Sequence, residues 1–436
     1  MPSRLSWVVA CGLLLGLTST AAADDGELRL MSESIGYMSV ADAADGDDPF
    51  DFNLSIGYRW ARSSGSVERE TFGDPPNRLP RMTGVGDYVA TWNYLDVKAE
   101  IGIYHDFALR VHLPVLLSYD QSIKNIDGAA AGGHLGSDDA VSPTRSGIPE
   151  VIVGLAWAPM NQFRRADRPT WLWIFNVALP VGSVMRPCLA EDDCDDAGVT
   201  QGVVRLLPEM RLSRRFRHVE AYGAFFGDIP FVTKAEDLFT PAGNLSGYQK
   251  TRPSIQGLLT MGFAIIPWEQ RATHQRLAID LRFLGGYVSS GRNFSPLFDV
   301  LGSRNSLPSI CPNGADAVGG ACPVGAPTPF TGLTDTEAYG TLGGRLTLEV
   351  KAARYVTFFL SGGYQMHSRH LVTYADECNG SASSPGDTPD VDAIGCHFTD
   401  AAPNPHYQEA LDGAGSRFGM GSINQFDLQI RAQGTF

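Results

Sequence analysis

Past its first seventeen residues, this 436-residue chain has no run of the roughly eighteen consecutive apolar side chains that a membrane-spanning helix needs. Basic residues are also scarce, with 34 Lys and Arg against 48 Asp and Glu and a net charge of −14. No basic cluster is available to hold a phosphate backbone, so nucleic acid is excluded as a partner. Glycine loops that cradle phosphate and the helical His pair of zinc hydrolases are missing. No His stands at ligand spacing beside a cysteine pair; His397 next to Cys396 is isolated. Neither a metal nor an organic cofactor is expected. What is plentiful is glycine, at 48 residues, and aromatic side chains, at 10%, a composition suited to a β-protein with many turns.

The dominant pattern is alternation, in which apolar and polar side chains exchange at every residue, as they do along a strand with two unlike faces. Residues 50–60 place Phe52, Leu54, Ile56, Tyr58 and Trp60 on one face and Asp51, Asn53, Ser55 and Arg59 on the other. Residues 107–120 set Leu109, Val111, Leu113, Val115 and Leu117 against Arg110, His112, Ser118 and Asp120. Comparable segments cover 92–104, 149–158, 171–183, 203–213, 218–227, 254–266, 275–287, 339–351, 355–367 and 424–436, which makes twelve. Connections after even-numbered segments are short (105, 160–170, 214–217, 267–274, 352–354). Those after odd-numbered segments are long (61–91, 121–148, 184–202, 228–253, 288–338, 368–423). This predicts an all-β fold: a single transmembrane antiparallel barrel of about twelve strands, with short periplasmic turns and long external loops. A secreted β-sandwich is the rival. Its outward faces would be uniformly polar, whereas here one face of most strands is aliphatic and aromatic throughout.

The last segment carries Phe426, Leu428, Ile430, Ala432 and Phe436 on one face and Asp427, Gln429 and Arg431 on the other. It resembles the closing strand of bacterial outer-membrane β-barrels, in which a terminal aromatic is read by the barrel-assembly machinery. The resemblance implies that role for Phe436, a location in the bacterial outer membrane, and outer-membrane lipids and lipopolysaccharide as neighbours. At the other end Arg4, an apolar stretch from Leu5 to Leu17 and the small residues Ala21 and Ala23 read as a signal peptide over 1–23. Residues 24–49 are then expected as a periplasmic N-terminal segment and 50–436 as the barrel. A weak extra strand near 28–40 and an inserted plug are the alternatives for the acidic segment.

Six cysteines follow the leader: Cys188 and Cys194, Cys311 and Cys322, Cys378 and Cys396, each pair within one long loop. Outside the cytoplasm disulfides persist, so three loop-local bridges are expected. The acidic cluster from Glu191 to Asp196 reads as a solvated loop; calcium binding and bridging to lipopolysaccharide phosphates are the alternatives.

Alternation turns a set of charges toward the lumen: Asp96, Lys98, Glu100, Arg110, His112, Glu150, Arg205, Glu209, Arg211, Glu220, Arg276, Asp280, Arg282, Arg345, Glu349, Asp427 and Arg431. They would brace the interior as ion pairs or line a pore whose charged rings set selectivity. Because both signs are present, weak ion selectivity is expected. Trp60, Trp92, Trp157, Trp171, Trp173, Trp268, Tyr58, Tyr355 and Phe436 lie near segment ends, where aromatic girdles are placed.

Gly147–Ala158 followed by Phe175–Ser183, with its Leu179-Pro180-Val181-Gly182-Ser183 ending, resembles the outer-membrane transporter-like family linked to meta-pathway phenol degradation. Glu150 stands where that family has Asp. The resemblance spans two strands and implies passage of small organic molecules without specifying the solute. The expected function is a passive channel or transporter for small solutes. The competing classes are a non-conducting scaffold whose disulfide-stapled loops bind a partner, and an outer-membrane lipid hydrolase. No Ser/His pair falls on the outward face, so no catalytic residue is assigned.

Overall fold

Alternating side chains build twelve long strands: β1 (Phe52–Phe72), β2 (Pro80–Tyr104), β3 (Phe107–Lys124), β4 (Glu150–Met160), β5 (Thr170–Pro180), β6 (Val203–Arg215), β7 (Val219–Val232), β8 (Gln256–Gln270), β9 (Gln275–Val288), β10 (Tyr339–Ala353), β11 (Val356–His367) and β12 (Ile423–Thr435). The computed structural model describes residues 34–41, 51–73, 79–192, 194, 196–241, 247–304, 307, 309, 328–379 and 402–436. The leader 1–23 and Cys311, Cys322 and Cys396 lie outside the described residues.

Each strand pairs antiparallel with the next, and β12 returns to β1, from Asn53 opposite Thr435 to Ser64 opposite Asn424. The seam is completed by Phe52 and Phe436, whose backbones exchange two hydrogen bonds of 2.9 Å and whose rings stack 6.3 Å apart. A closed barrel leaves no ladder edge unpaired, which lets strands cross hydrocarbon. Its faces are inverted relative to a soluble protein. Leu54, Ile56, Phe283, Leu342, Leu428 and Ile430 are exposed on the outside, while Asp96, Glu220, Arg276, Asp280 and Glu349 are buried within. A continuous apolar belt of this kind exceeds what monomeric soluble proteins leave in water. No helix among the described residues is long and apolar enough to cross a membrane.

Three local departures from simple alternation matter. The connection 61–91 is mostly strand, not loop. β1 and β2 run for 21 and 25 residues, well beyond the roughly 9–11 that a tilted strand needs to span a bilayer, and project as one hairpin. On β3, pairing moves from Asn93 opposite Ser118 to Tyr94 opposite Leu116, leaving Leu117 as a bulge residue. An extra residue reverses the face of everything after it. Tyr119, Gln121 and Ile123 therefore turn inward, and Asp120, which simple alternation sets on the face of Arg110 and His112, is exposed. Finally, β3 pairs with β4 only from Phe107 to His112. Pro114 has no amide to continue that ladder and Pro149 precedes β4, so the upper part of β3 pairs instead with Arg145–Gly147 and Ala140–Val141.

The long connections are not structureless. Gly291–Asn293 pairs with Thr334–Thr336, and Phe418–Met420 pairs with both β1 and His370–Leu371. Val67, Val85, Leu301, Val372, Leu411 and Phe418 bury one another in a core at that end of the barrel. This cap roofs the lumen.

Candidate permeation pathway inside the barrel

At the short-turn end the lumen is occupied by the chain's own residues 34–41. Ile35 N donates to Glu220 Oε2 at 2.9 Å, Gly36 N to Glu349 Oε2 at 2.8 Å and Ala41 N to Glu100 Oε1 at 2.6 Å. Three carboxylates on three different strands thus satisfy amides that a short irregular segment leaves unpaired. Tyr37 inserts between two guanidinium groups, with Arg211 3.9 Å and Arg282 3.8 Å from its ring, and its hydroxyl donates to Glu209 at 3.1 Å. Arg211 also donates to the Tyr37 carbonyl. A Cβ at Gly36 would lie 2.9 Å from the Phe359 ring, so this close approach requires glycine. The apolar members of the segment find apolar wall: Ile35 and Met38 pack with Tyr222, Ala264, Ile266 and Ala278, and Val40 against Leu172 and Ile174.

Around and above this segment the wall charges pair with one another. Asp96 accepts from Arg59 Nε at 3.2 Å and lies 2.9 Å from His112 Nε2. Arg110 pairs with Glu100 at 2.9 Å, and Lys98 stands opposite His112 in the register. Arg205 bridges Glu150 at 2.6 Å and Asp228 at 2.7 Å. Arg211 grips Glu209 through two nitrogens at 2.7 and 2.8 Å. Arg276 pairs with Glu349 at 2.5 Å, Arg282 with Asp280 at 2.6 Å and Arg345 with Asp427 at 2.8 Å. Arg431 lies 3.8 Å from the centre of the Phe359 ring. Most of these inner-wall charges are spent in pairs. An ion pair inside a barrel is costly to break, because removing one partner strands the other away from bulk water.

Under the cap the space widens into two adjoining cavities. One is bounded by Tyr94, Tyr119, Gln121 and Glu150, the other by Asp228, Tyr339, His367 and Gln425, and Tyr88, Trp92, Arg205 and Phe294 line both. Trp92, expected in a membrane girdle, is therefore a lumen residue. It shares the parity of Asp96 and stacks on Tyr119 with ring centres 5.4 Å apart. The exposed aromatics Tyr58, Trp157, Trp268, Tyr355 and Phe436 do lie on the outer surface. Tyr37, Asp228 and the cap residues could not be placed from alternation, since they come from an irregular segment and from connections outside the alternating segments.

Of the cysteines, Cys188 and Cys194 form a disulfide, which occupies the sulfurs of the Cys188, Asp192 and Cys194 cluster. Cys378 is also disulfide-bonded. The Cys188 amide donates to Asp299 Oδ1 at 3.1 Å, and Asp299 holds Arg145 through two bonds of 2.7 and 3.0 Å, tying this loop to the roof.

An apolar exterior, a charged interior, twelve strands, short turns at one end and long loops at the other define the architecture. This is a closed barrel of the outer-membrane type. No protein-family model matches the chain, and no curated protein matches it. Among solved structures, an outer membrane channel from Pseudomonas putida F1 is 10% identical, with 93% of this chain and 99% of that one covered and a TM-score of 0.39. A Pseudomonas aeruginosa FadL homologue is 9% identical over 89% of this chain and 90% of that one, with a TM-score of 0.31. The outer membrane protease OmpT from Escherichia coli is 7% identical over 89% and 96%, at 0.24. Likeness at this level transfers none of the neighbours' activities to the barrel.

Proposed function

We propose that this protein is a passive outer-membrane channel or transporter for small solutes, delivered after loss of residues 1–23 and inserted with its long loops outward. The observation that carries the reading is the lumen itself: a charged inner wall that encloses cavities beneath a folded cap. A barrel built only to display loops has no use for such space. Lumen charges of both signs, already paired, favour neutral solutes and weak ion selectivity. In this reading Phe436 serves as the assembly signal, lipopolysaccharide surrounds the outer leaflet, and the bridges of Cys311 with Cys322 and Cys378 with Cys396 complete the stapling begun by Cys188 and Cys194.

One observation favours the second reading, a non-conducting scaffold that binds a partner through its loops: residues 34–41 fill the short-turn end. In the channel reading that segment is a plug that must shift for solute to pass. Reconstitution into planar bilayers and solute-loaded vesicles separates the two. Single-channel steps or solute flux support a channel, and the absence of both from a correctly folded barrel defeats it.

A further inference from the structure

The two cavities under the cap, about 340 and about 330 Å³, adjoin along a strap of three residues, Phe294, Ser295 and Pro296, that folds inward from the β9–β10 connection. Each lies at the low end of the roughly 300–1,000 Å³ typical of ligand pockets. The strap is fixed rather than loose. Gln121 Nε2 donates to the Pro296 carbonyl at 2.9 Å, Thr334 Oγ1 to Ser295 Oγ at 2.9 Å, and Asn293 Nδ2 to Ser254 Oγ at 2.8 Å. Phe294 packs on Phe298 with ring centres 4.8 Å apart. The Trp92–Tyr119 stack on the barrel wall lines the same space, so aromatic surface is present on both the wall and the strap.

Charge in this chamber is largely paired, with one carboxylate in excess. Arg205 is shared by Glu150 and Asp228, and Arg145 is spent on Asp299. An anionic solute finds no unpaired guanidinium there among the described residues. Between the aromatics lie amides and hydroxyls, and Gln201 and Gln256 make no side-chain hydrogen bond among the described residues. A wholly apolar ring would strip water from these groups and return nothing, at a cost that sites rich in hydrogen-bonding groups impose on ligands lacking them. A ring with apolar faces and hydroxyls around its edge meets both demands.

We propose that this chamber is a binding site for a neutral polyhydroxylated ring, a mono- or disaccharide, with Trp92 and Phe294 as its stacking surfaces and Gln201, Gln256 and Gln425 as hydrogen-bonding partners. The proposal rests on the channel reading and gives it a solute class. The test is calorimetric titration of the full-length protein in detergent with glucose, maltose and, separately, phenol. Saturable binding of glucose or maltose is expected, weakened at least about tenfold by Trp92→Ala and by Phe294→Ala, with heat-modifiable gel migration unchanged. Two variants on different elements guard against one failing to fold. No saturation by either sugar up to about 100 mM, far beyond millimolar affinity, overturns the site. Sugar binding indifferent to both substitutions, or phenol binding that sugars do not displace, overturns it as well. Bilayer conductance of the same preparation keeps the two ideas apart: conductance without sugar binding defeats this site alone, and sugar binding without conductance or flux defeats the channel alone.

Discussion

The backbone amide of Ile35 donates to the carboxylate of Glu220, 185 residues away, at 2.9 Å inside the barrel. With the Gly36–Glu349 bond it fastens an irregular segment to two strands of the wall. Hydrogen bonds to charged groups contribute about 1.5–3 kcal/mol each. Glu220→Gln combined with Glu349→Gln is expected to weaken the attachment through these two bonds by about 1–2 kcal/mol, a factor of about 5–30 in the released population, in addition to the cost of stranding Arg276 beside position 349. Single-channel recording measures it as a rise in open probability. Unchanged recordings from the double variant, beside a clear rise on deleting residues 34–41, would mean that other contacts hold the segment.

Asp299 joins the roof to the wall through its buried pair with Arg145. Asp299→Ala leaves an unpaired guanidinium in a buried site, a change that costs about 3–5 kcal/mol. It also removes the acceptor of the Cys188 amide. Limited proteolysis is expected to cut the cap of this variant many times faster than the wild type while the barrel stays intact. The double replacement Arg145→Met with Asp299→Leu is expected to recover much of the loss.

His406 responds to acid. Its Nε2 donates to the Phe239 carbonyl at 2.9 Å, while Nδ1 is buried without a partner among the described residues. Burial, helped by the nearby Arg292 and Lys250 cations, holds its pKa well below the ordinary value. The folded protein thus binds this proton less readily than the unfolded chain. The contribution of His406 to stability is complete above about pH 6.5 and is lost as pH falls below that value toward the folded pKa. Hydrogen exchange over residues 402–412, corrected for intrinsic rates, is expected to accelerate at about pH 5 relative to about pH 7.5. His406→Gln, which retains a donor but does not titrate, is expected to flatten that difference.

Phe436 closes the barrel by exchanging backbone bonds with Phe52 and stacking on its ring. Removing Phe436 takes away two ladder bonds at the seam and an exposed aromatic at the outer surface. The expected result is a several-fold fall in heat-modifiable barrel recovered from outer membranes. Phe436→Trp is expected to restore most of it, since it keeps the backbone and an interfacial aromatic.

How far the chain could be read from residue order alone depends on whether a local rule applied. Alternation located Asp96, Arg205, Glu209, Asp280 and Arg431 on the inner wall because parity along a strand needs no knowledge of neighbours. The same rule misplaced Asp120, since one bulge at Leu117 reverses parity and bulges have no strong signature in a single sequence. Trp92 was assigned by residue type to a girdle although its parity with Asp96 pointed inward. The cap escaped notice because Leu301, Val372 and Phe418 come from separate connections and reveal a common core only when folded together.

Sequence by itself determined the strand count, the inverted faces, the division into short and long connections and the signs of charge facing the lumen, because each follows from side-chain spacing along one strand. Tertiary structure decided which charges meet, that Tyr37 lies between Arg211 and Arg282, and that Phe294 and Trp92 line the same cavities. These are encounters between segments up to hundreds of residues apart. They are set by barrel closure and by the inward course of two irregular stretches, neither of which leaves a period in the sequence.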